Sequence, residues 1–231
     1  MQPIEHPKSL MEVTAEKIRF AIVAGELPLG SKLSEQRLAD MLGVSRSPVH
    51  DALAALQSEG LVRISPKRGS FVFTPDLGVV DELCEHRMIL ETAALRLGIA
   101  RNHEGLMTQM EKSCRAMEAA IDANDPHGYT LADHQFHNAI FEAAANRTLT
   151  KSYNLTISPL KALRTHLFTI MTENTDRSLS EHHLVIEATC RKDVDLAVSH
   201  LADHIGHLAE AFRAKLSSEQ INDAMQAERQ S

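Results

Sequence analysis

Tryptophan is absent from this 231-residue chain, and aromatic residues make up only 4% of it. β-Sandwiches and barrels draw on aromatic and β-branched side chains, whereas a chain rich in Ala, Leu and Met is biased to helices. Cysteine is scarce. Cys84, Cys114 and Cys190 are far apart and odd in number, which excludes a disulfide framework and any C-x-x-C redox or zinc pair. Three thiols of this kind fit a reducing cytoplasm. No apolar run is long enough to cross a bilayer, and the opening Met1–His6 is no signal peptide. The expectation is a soluble cytoplasmic protein. No H-E-x-x-H or nucleophile motif occurs either, so nothing marks a catalytic centre.

What is present is an ordinary globular balance, 43% hydrophobic and 24% charged residues, long enough for one large domain or two modest ones. The net charge of −7 argues weakly against nucleic-acid binding, but its distribution changes that view. Residues 1–75 carry 9 Lys and Arg against 8 Asp and Glu, whereas residues 76–231 carry 15 against 23. Local basic clusters, not the total, decide contact with DNA. Histidine is skewed too, with 11 of 13 beyond residue 76.

Periodicity divides the chain in the same place. A helix is expected over about 11–24, with Val13, Ile18, Ala21 and Ile22 on its apolar face and Gly25 as a stop. A second starts after Ser34, a good N-cap, and buries Leu38, Met41 and Leu42. Gly43 breaks it. Ser45 offers a new cap, Pro48 is tolerable in the first turn, and Val49, Ala52, Leu53 and Leu56 form the next stripe up to Gly60. Two short β-like runs, 61–64 and 70–73, flank Pro66-Lys67-Arg68-Gly69 and read as a hairpin. Residues 76–78 are the expected linker. Helices follow at about 79–101, 104–123, 127–145, 148–172, 178–190 and 193–215, and a polar tail occupies 217–231. The fold class is mainly α: an N-terminal winged helix-turn-helix (1–75) and a C-terminal all-α antiparallel helical bundle (79–216).

In such a module the third helix enters the major groove. Its first turn turns Ser45, Arg46, Ser47 and His50 outward. Arg46 can donate a bidentate pair to guanine or hold a phosphate, and the two serines can donate to phosphate oxygens. Lys67 and Arg68 sit at the wing tip, where Gly69 permits close approach. Spacing alone leaves a protein-contact module open as an alternative.

Residues 13–73 resemble the DNA-binding domain of the GntR family of transcription factors along their whole length. The matching stretches are Gly25-Glu26-Leu27-Pro28-Leu29-Gly30, Leu33-Ser34-Glu35-Gln36-Arg37-Leu38-Ala39, Leu42 through Val49, Asp51-Ala52-Leu53, Glu59-Gly60-Leu61-Val62 and Arg68-Gly69-Ser70-Phe71-Val72. The resemblance implies a homodimer on an inverted-repeat operator in double-stranded DNA. It adds Ser34 and Gln36 to the DNA-facing set. Gln36 and His50 stand where many members carry Arg, at positions that contact DNA in relatives. Gln can read adenine, and His makes a shorter, pH-sensitive contact.

In the C-terminal part, Asp133 and His137 are four residues apart and share a helical face. His182 opens a later helix and His204 lies in the last one. A carboxylate and imidazoles projected from facing helices are how bundles build metal sites, although scattered histidines are more often solvated. Residues 80–212 resemble the FCD ligand-binding domain of the FadR/VanR-like subgroup, through Arg87-Met88-Ile89-Leu90-Glu91, Asp133-x-x-Phe136-His137, Ala143-Ala144-Ala145-Asn146, Glu181-His182 and Leu201-Ala202-Asp203-His204-Ile205. Members bind a divalent metal through one Asp and three His, which by position are Asp133, His137, His182 and His204. The run Ala143–Asn146 lacks the Gly common before Asn. His183 adjoins His182, but helix neighbours point about 100° apart, so one alone faces inward. His200 and His207 share a face with His204 and are alternative or supporting donors.

The resemblance thus implies a ligand-responsive regulator and not an enzyme. Zinc is the first expectation, with nickel, manganese or iron as alternatives. A small carboxylic acid would complete the coordination. Arg87 would pair with that acid or form an interhelix ion pair, and Asn146 would bond within the pocket or cap a helix. A metal sensor, a metal-dependent enzyme fused to a DNA-binding domain, and a plain dimerisation bundle are the competing readings. Gln36 and His50 lead to an expected operator that differs from the common family site where they read it. Sequence selection from random duplexes checks this, and a consensus identical to the common site refutes it.

Overall fold

The structure, a computed structural model, describes residues 8–170 and 173–230, with the backbone alone over 167–170, 173–174 and 217–230. The elements in chain order are α1 (Leu10–Val23), β1 (Lys32–Leu33), α2 (Glu35–Leu42), α3 (Arg46–Ser58), β2 (Val62–Ser65), β3 (Gly69–Val72), α4 (Leu77–Asp122), α5 (Pro126–Ala144), α6 (Arg147–Ile170), α7 (Glu173–Cys190) and α8 (Val194–Gln230). They form two compact units. The first comprises residues 1–75 with 155–166 of α6, and the second comprises 76–154 with 167–231. Residues 155–166, expected within the C-terminal bundle, therefore group with the first unit.

In the first unit α1 and α2 start on side-chain caps, whereas Ser45, the expected cap of α3, makes no side-chain cap hydrogen bond. Ser9 Oγ accepts the Glu12 N–H at 3.2 Å while Glu12 Oε2 accepts the Ser9 N–H at 2.7 Å, a reciprocal capping box for α1. Ser34 Oγ accepts the Arg37 N–H at the start of α2. Gly43, in the left-handed region at φ 66°, ends α2 and frees the chain to turn into α3. Val49, Ala52, Leu53 and Leu56 on α3 pack with Ile18 and Ile22 of α1 in a dry core. A forked Arg19–Glu59 pair, at 2.8 and 2.6 Å, ties α1 to the end of α3. The sheet is antiparallel in the order β1-β3-β2, with Val62 opposite Val72 and Ser65 opposite Gly69. β1 adds a third strand to the expected hairpin, pairing Lys32 with Phe71 and Leu33 with Ser70. Its two residues are too few to show alternation in sequence.

In the second unit α4 packs against α5, α7 and α8, and α7 packs against α8. The expected break near residue 102 is present as one non-helical residue, Asn102 (φ −150°, ψ 61°), whose Oδ1 accepts the Gly105 N–H. α5 begins at Pro126 with Asp125 as its cap and ends on Ala145 at φ 47°. That is the left-handed position for which Gly is the usual choice, so its absence from the Ala143–Asn146 run leaves Ala in a strained cap. Arg101 Nη1 donates to the Ala144 carbonyl at 2.6 Å and satisfies one of the open carbonyls there. The expected helix over 178–190 begins earlier, at Glu173, and residues 171–172 lie outside the described residues. The side chains of the expected polar tail 217–231 also lie outside them, while the backbone of α8 continues to Gln230. No helix among the described residues is long and apolar enough to cross a membrane.

α4 and α5 approach closely because Gly98 has no side chain. A Cβ there would stand 3.1 Å from Ala143 Cβ and 3.4 Å from the Ile140 carbonyl oxygen, whereas one at Gly206 would meet nothing within 4 Å. Gly98→Val is expected to lower unfolding free energy by about 1–3 kcal/mol through overpacking. Gly206→Ala is expected to raise it by up to about 1 kcal/mol through helix propensity. Urea unfolding of both variants checks the pair.

Candidate metal centre and nucleic-acid interface

Three helices of the second unit converge four donors on one point. The 3.6-residue period puts Asp133 and His137 one turn apart on the buried face of α5, with Phe136 and Ile140 beside them. α7 supplies His182 and α8 supplies His204. All four residues are buried, and one donor atom of each lies within 4.8 Å of every other. His137 Nε2 is 3.8 Å and His182 Nε2 is 3.4 Å from Asp133 Oδ1. The His137 and His204 rings stack at 5.3 Å, and those of His182 and His204 stand 4.2 Å apart.

The other side of each ring explains the convergence. His182 Nδ1 donates to the Ser178 carbonyl at 2.7 Å. His204 Nδ1 is 3.0 Å from Glu181 Oε2. His137 Nδ1 is 2.8 Å from Glu91 Oε2, although off the line of a good hydrogen bond. Carbonyls and carboxylates accept, so His182 and His204 carry a proton on Nδ1 and turn Nε2 inward, while the Glu91 carboxylate lies beside Nδ1 of His137. Glu181 also receives His207 and Arg177, making His207 a neighbour of the cluster at one remove. His183 points elsewhere, half-exposed, to Glu118 at 3.2 Å.

Asp with three neutral imidazoles is a donor set for a borderline divalent ion such as zinc, nickel, manganese or iron. Two donors bound to one ion at about 2.1 Å can be no more than about 4.2 Å apart. The 3.4 and 3.8 Å spacings meet that limit, and the widest, up to 4.8 Å, requires only a small side-chain rotation. His137 Nε2 is buried with no hydrogen-bond partner, a cost that a metal ion would relieve. The residues fit the group.

Arg87 and Glu91 of α4 lie alongside. Arg87 Nε donates to Glu91 Oε1 at 2.6 Å, and the Tyr153 hydroxyl donates to the same oxygen at 2.9 Å. Burial disfavours both charges, but their mutual attraction outweighs it. With His137 helping, it holds the Glu91 carboxyl well below the usual carboxylate range, and Tyr153 and Asp133 help keep Arg87 protonated. Arg87 Nη2 remains buried with no hydrogen-bond partner. Asn146 is used locally, its Oδ1 accepting the Leu149 N–H at the start of α6.

On the first unit, Ser45, Arg46, Ser47 and His50 are exposed on the face of α3 opposite Val49 and Leu53. Lys67, Arg68 and Gly69 are exposed at the hairpin turn, where Lys67 (φ 66°) and Gly69 (φ 102°) are both left-handed. Gln36 donates to Asp40 at 2.8 Å. Glu35, which enters the sequence reading only within the stretch Leu33–Ala39, accepts from Arg46 Nη2 at 3.1 Å and lies 3.0 Å from His50 Nδ1. Glu91 and Glu181 likewise enter only within matching stretches, and Tyr153 carries no signal in the sequence. The i, i+4 spacing of Arg87 and Glu91 and the adjacency of Glu181 to His182 were the available signals.

Winged helix and four-donor bundle together define a class. The bacterial regulatory proteins of the gntR family match residues 10–72, and the FCD domain matches residues 82–207. A gluconate operon transcriptional repressor of Bacillus licheniformis is 31% identical over 80% of this chain and 77% of its own length. A probable D-xylose utilization operon transcriptional repressor of Paenarthrobacter nicotinovorans is 28% identical over 81% and 82%. The fold is similar to that of E. coli McbR/YncC, with TM-score 0.78, 20% identity and coverage of 90% of this chain and 100% of that one. The chain belongs to the gntR family and carries an FCD domain. It is a DNA-binding transcriptional regulator rather than an enzyme, and regulators of this family bind operators and typically dimerise.

Removing one partner of a buried ion pair strands the other. Glu91→Ala is therefore expected to cost about 3–5 kcal/mol of unfolding free energy, and Arg87→Met combined with Glu91→Leu to recover most of it. Denaturant midpoints of the single and double variants check this.

Proposed function

We propose that this regulator senses a small organic acid at a divalent metal held by Asp133, His137, His182 and His204. The observation that carries the reading is the gathering of four buried donors within 4.8 Å, in a family of DNA-binding regulators. The ion, zinc in the first instance, would supply a Lewis-acidic anchor for a carboxylate. The chain's own residues do the rest. Glu91, Glu181 and the Ser178 carbonyl orient the three imidazoles, and Arg87 Nη2 is a buried cationic donor suited to a carboxylate oxygen. Glu91 already neutralises Arg87, so Arg87 selects by hydrogen-bond direction more than by net charge. Sugar acids and hydroxy acids are the proposed effector class, consistent with a relative named for a gluconate operon. The acid shifts operator affinity only as far as it binds the two states of a dimer differently. DNA contact is assigned to Ser34, Gln36, Ser45, Arg46, Ser47, His50, Lys67, Arg68 and Gly69, on an inverted-repeat operator.

Untagged protein purified without chelator is expected to contain about one divalent ion per chain by mass spectrometry, and His137→Ala and His204→Ala to lose it. Chelator is expected to lower the Tm of the wild type alone, because an ion that binds only the folded state stabilises it. No metal after zinc, nickel and manganese are added back would overturn the site. Metal that alone changes DNA affinity, with no response to acids, would make the ion itself the signal.

A further inference from the structure

The first unit holds a polar cluster that spacing alone did not reveal. Glu35, at the first position of α2, has its carboxylate beneath two side chains of α3. One oxygen receives Arg46 Nη2 at 3.1 Å, and the other is 3.0 Å from His50 Nδ1. Glu35 is the recessed member, 26% exposed against 64% for Arg46 and 65% for His50. The two basic side chains therefore face outward on the face of α3 that the proposed function assigns to DNA, a reading on which this inference rests, and the carboxylate sits behind them.

An ionised carboxylate accepts and cannot donate. Contact with His50 and Arg46 holds Glu35 below the usual carboxylate range, so it is ionised at neutral pH. The proton between His50 and Glu35 is then on Nδ1 at every pH at which the contact persists. The variable site is Nε2, on the far side of the ring. With the ring neutral, Nε2 presents a lone pair outward, and with the ring protonated it presents an N–H.

We propose that Glu35 fixes the tautomer of His50, so that the outward Nε2 changes from acceptor to donor on protonation and the operator reading of α3 changes with pH. The acceptor form suits the amino groups of cytosine or adenine. The donor form suits guanine N7 and O6 or a phosphate oxygen. Arg46 keeps four of its five N–H groups for DNA in either state, held in direction by the same carboxylate.

The charges around His50 are few. Glu35 on α2 favours its protonated form most, through the hydrogen bond and its charge, Asp51 on α3 adds to this, and Arg46 on α3 opposes it. From α1, Arg19 is engaged with Glu59 at the far end of α3, and on β2 Arg63 lies over the Phe71 ring. Nearby phosphates favour the proton further. DNA binding in the donor mode therefore takes up a proton, and its affinity rises as pH falls.

The test uses the full-length protein and duplexes selected by the wild type from a random library at about pH 6 and about pH 8.5. Fluorescence anisotropy then gives Kd for wild type, His50→Gln, His50→Arg and Glu35→Gln at constant ionic strength. On the duplex selected near pH 6, the wild type is expected to weaken at least about threefold between those pH values beyond any change in His50→Gln. His50→Arg, always charged, is expected to follow His50→Gln in being insensitive. Histidines of the second unit are common to all four proteins, so their titration cancels in the comparison. Glu35→Gln is expected to show a smaller response than the wild type, because an amide can donate to or accept from Nδ1. An unchanged selected sequence overturns the change in operator reading; if the Kd shift is intact, the donor then acts on phosphate and the salt slope steepens by up to about 0.9 per protomer at low pH. A wild type that parallels His50→Gln overturns the switch. A Glu35→Gln variant that responds like the wild type overturns the role of Glu35. Thermal unfolding of each variant and its affinity for an unselected duplex establish that the fold is retained.

Discussion

Glu91 is a fully buried carboxylate that answers to three side chains from three helices. Arg87 comes from its own helix, His137 from α5 and Tyr153 from α6. Taking two charges out of water costs several kcal/mol per ion, and attraction offsets this only where geometry is held closely. The interior of the second unit is therefore not a generic apolar bundle. The register of α4 against α5 has to keep Arg87, Glu91 and His137 in line, and Gly98, about two turns beyond Glu91 along α4, is where the two backbones come close enough to allow it. The cluster of Asp133, His137, His182 and His204 is built upon this alignment.

The same chemical device serves both units. A histidine has two nitrogens, and fixing one decides what the other offers. In the second unit, a backbone carbonyl and a carboxylate tie down Nδ1 of His182 and His204, Glu91 lies beside Nδ1 of His137, and the three rings meet in a dry interior. In the first unit a single carboxylate ties down His50 at the surface, where the other nitrogen faces outward. Burial separates the two outcomes: enclosed rings with inward lone pairs suit metal ligation, whereas an exposed ring can titrate.

Much of this was legible in sequence, for identifiable reasons. The cap at Ser34 and the stops at Gly43 and Gly60 are local chemistry, and the apolar stripes of α1 and α3 have the plain helical period. Asp133 and His137 were readable because four residues make one turn. β1 was not, because two residues carry no period. The roles of Glu35 and Glu91 are not legible, because a carboxylate on a helix reads as a solvated charge until its neighbours from other elements are known. The grouping of residues 155–166 with the first unit is likewise a long-range packing outcome that no window of sequence contains.

Asn102 carries a consequence for how α4 can change over time. An extra residue inside an unbroken helix rotates every later side chain by about 100° and turns a buried face outward. At Asn102 the backbone leaves the helical region and restarts under its own cap. The segments before and after it therefore keep independent phase. One carries Arg87, Glu91 and Gly98, and the other buries Leu106, Met110 and Met117. Lengthening or shortening the chain at this point would leave the ion-pair face undisturbed, so α4 is in effect two separately adjustable parts joined end to end.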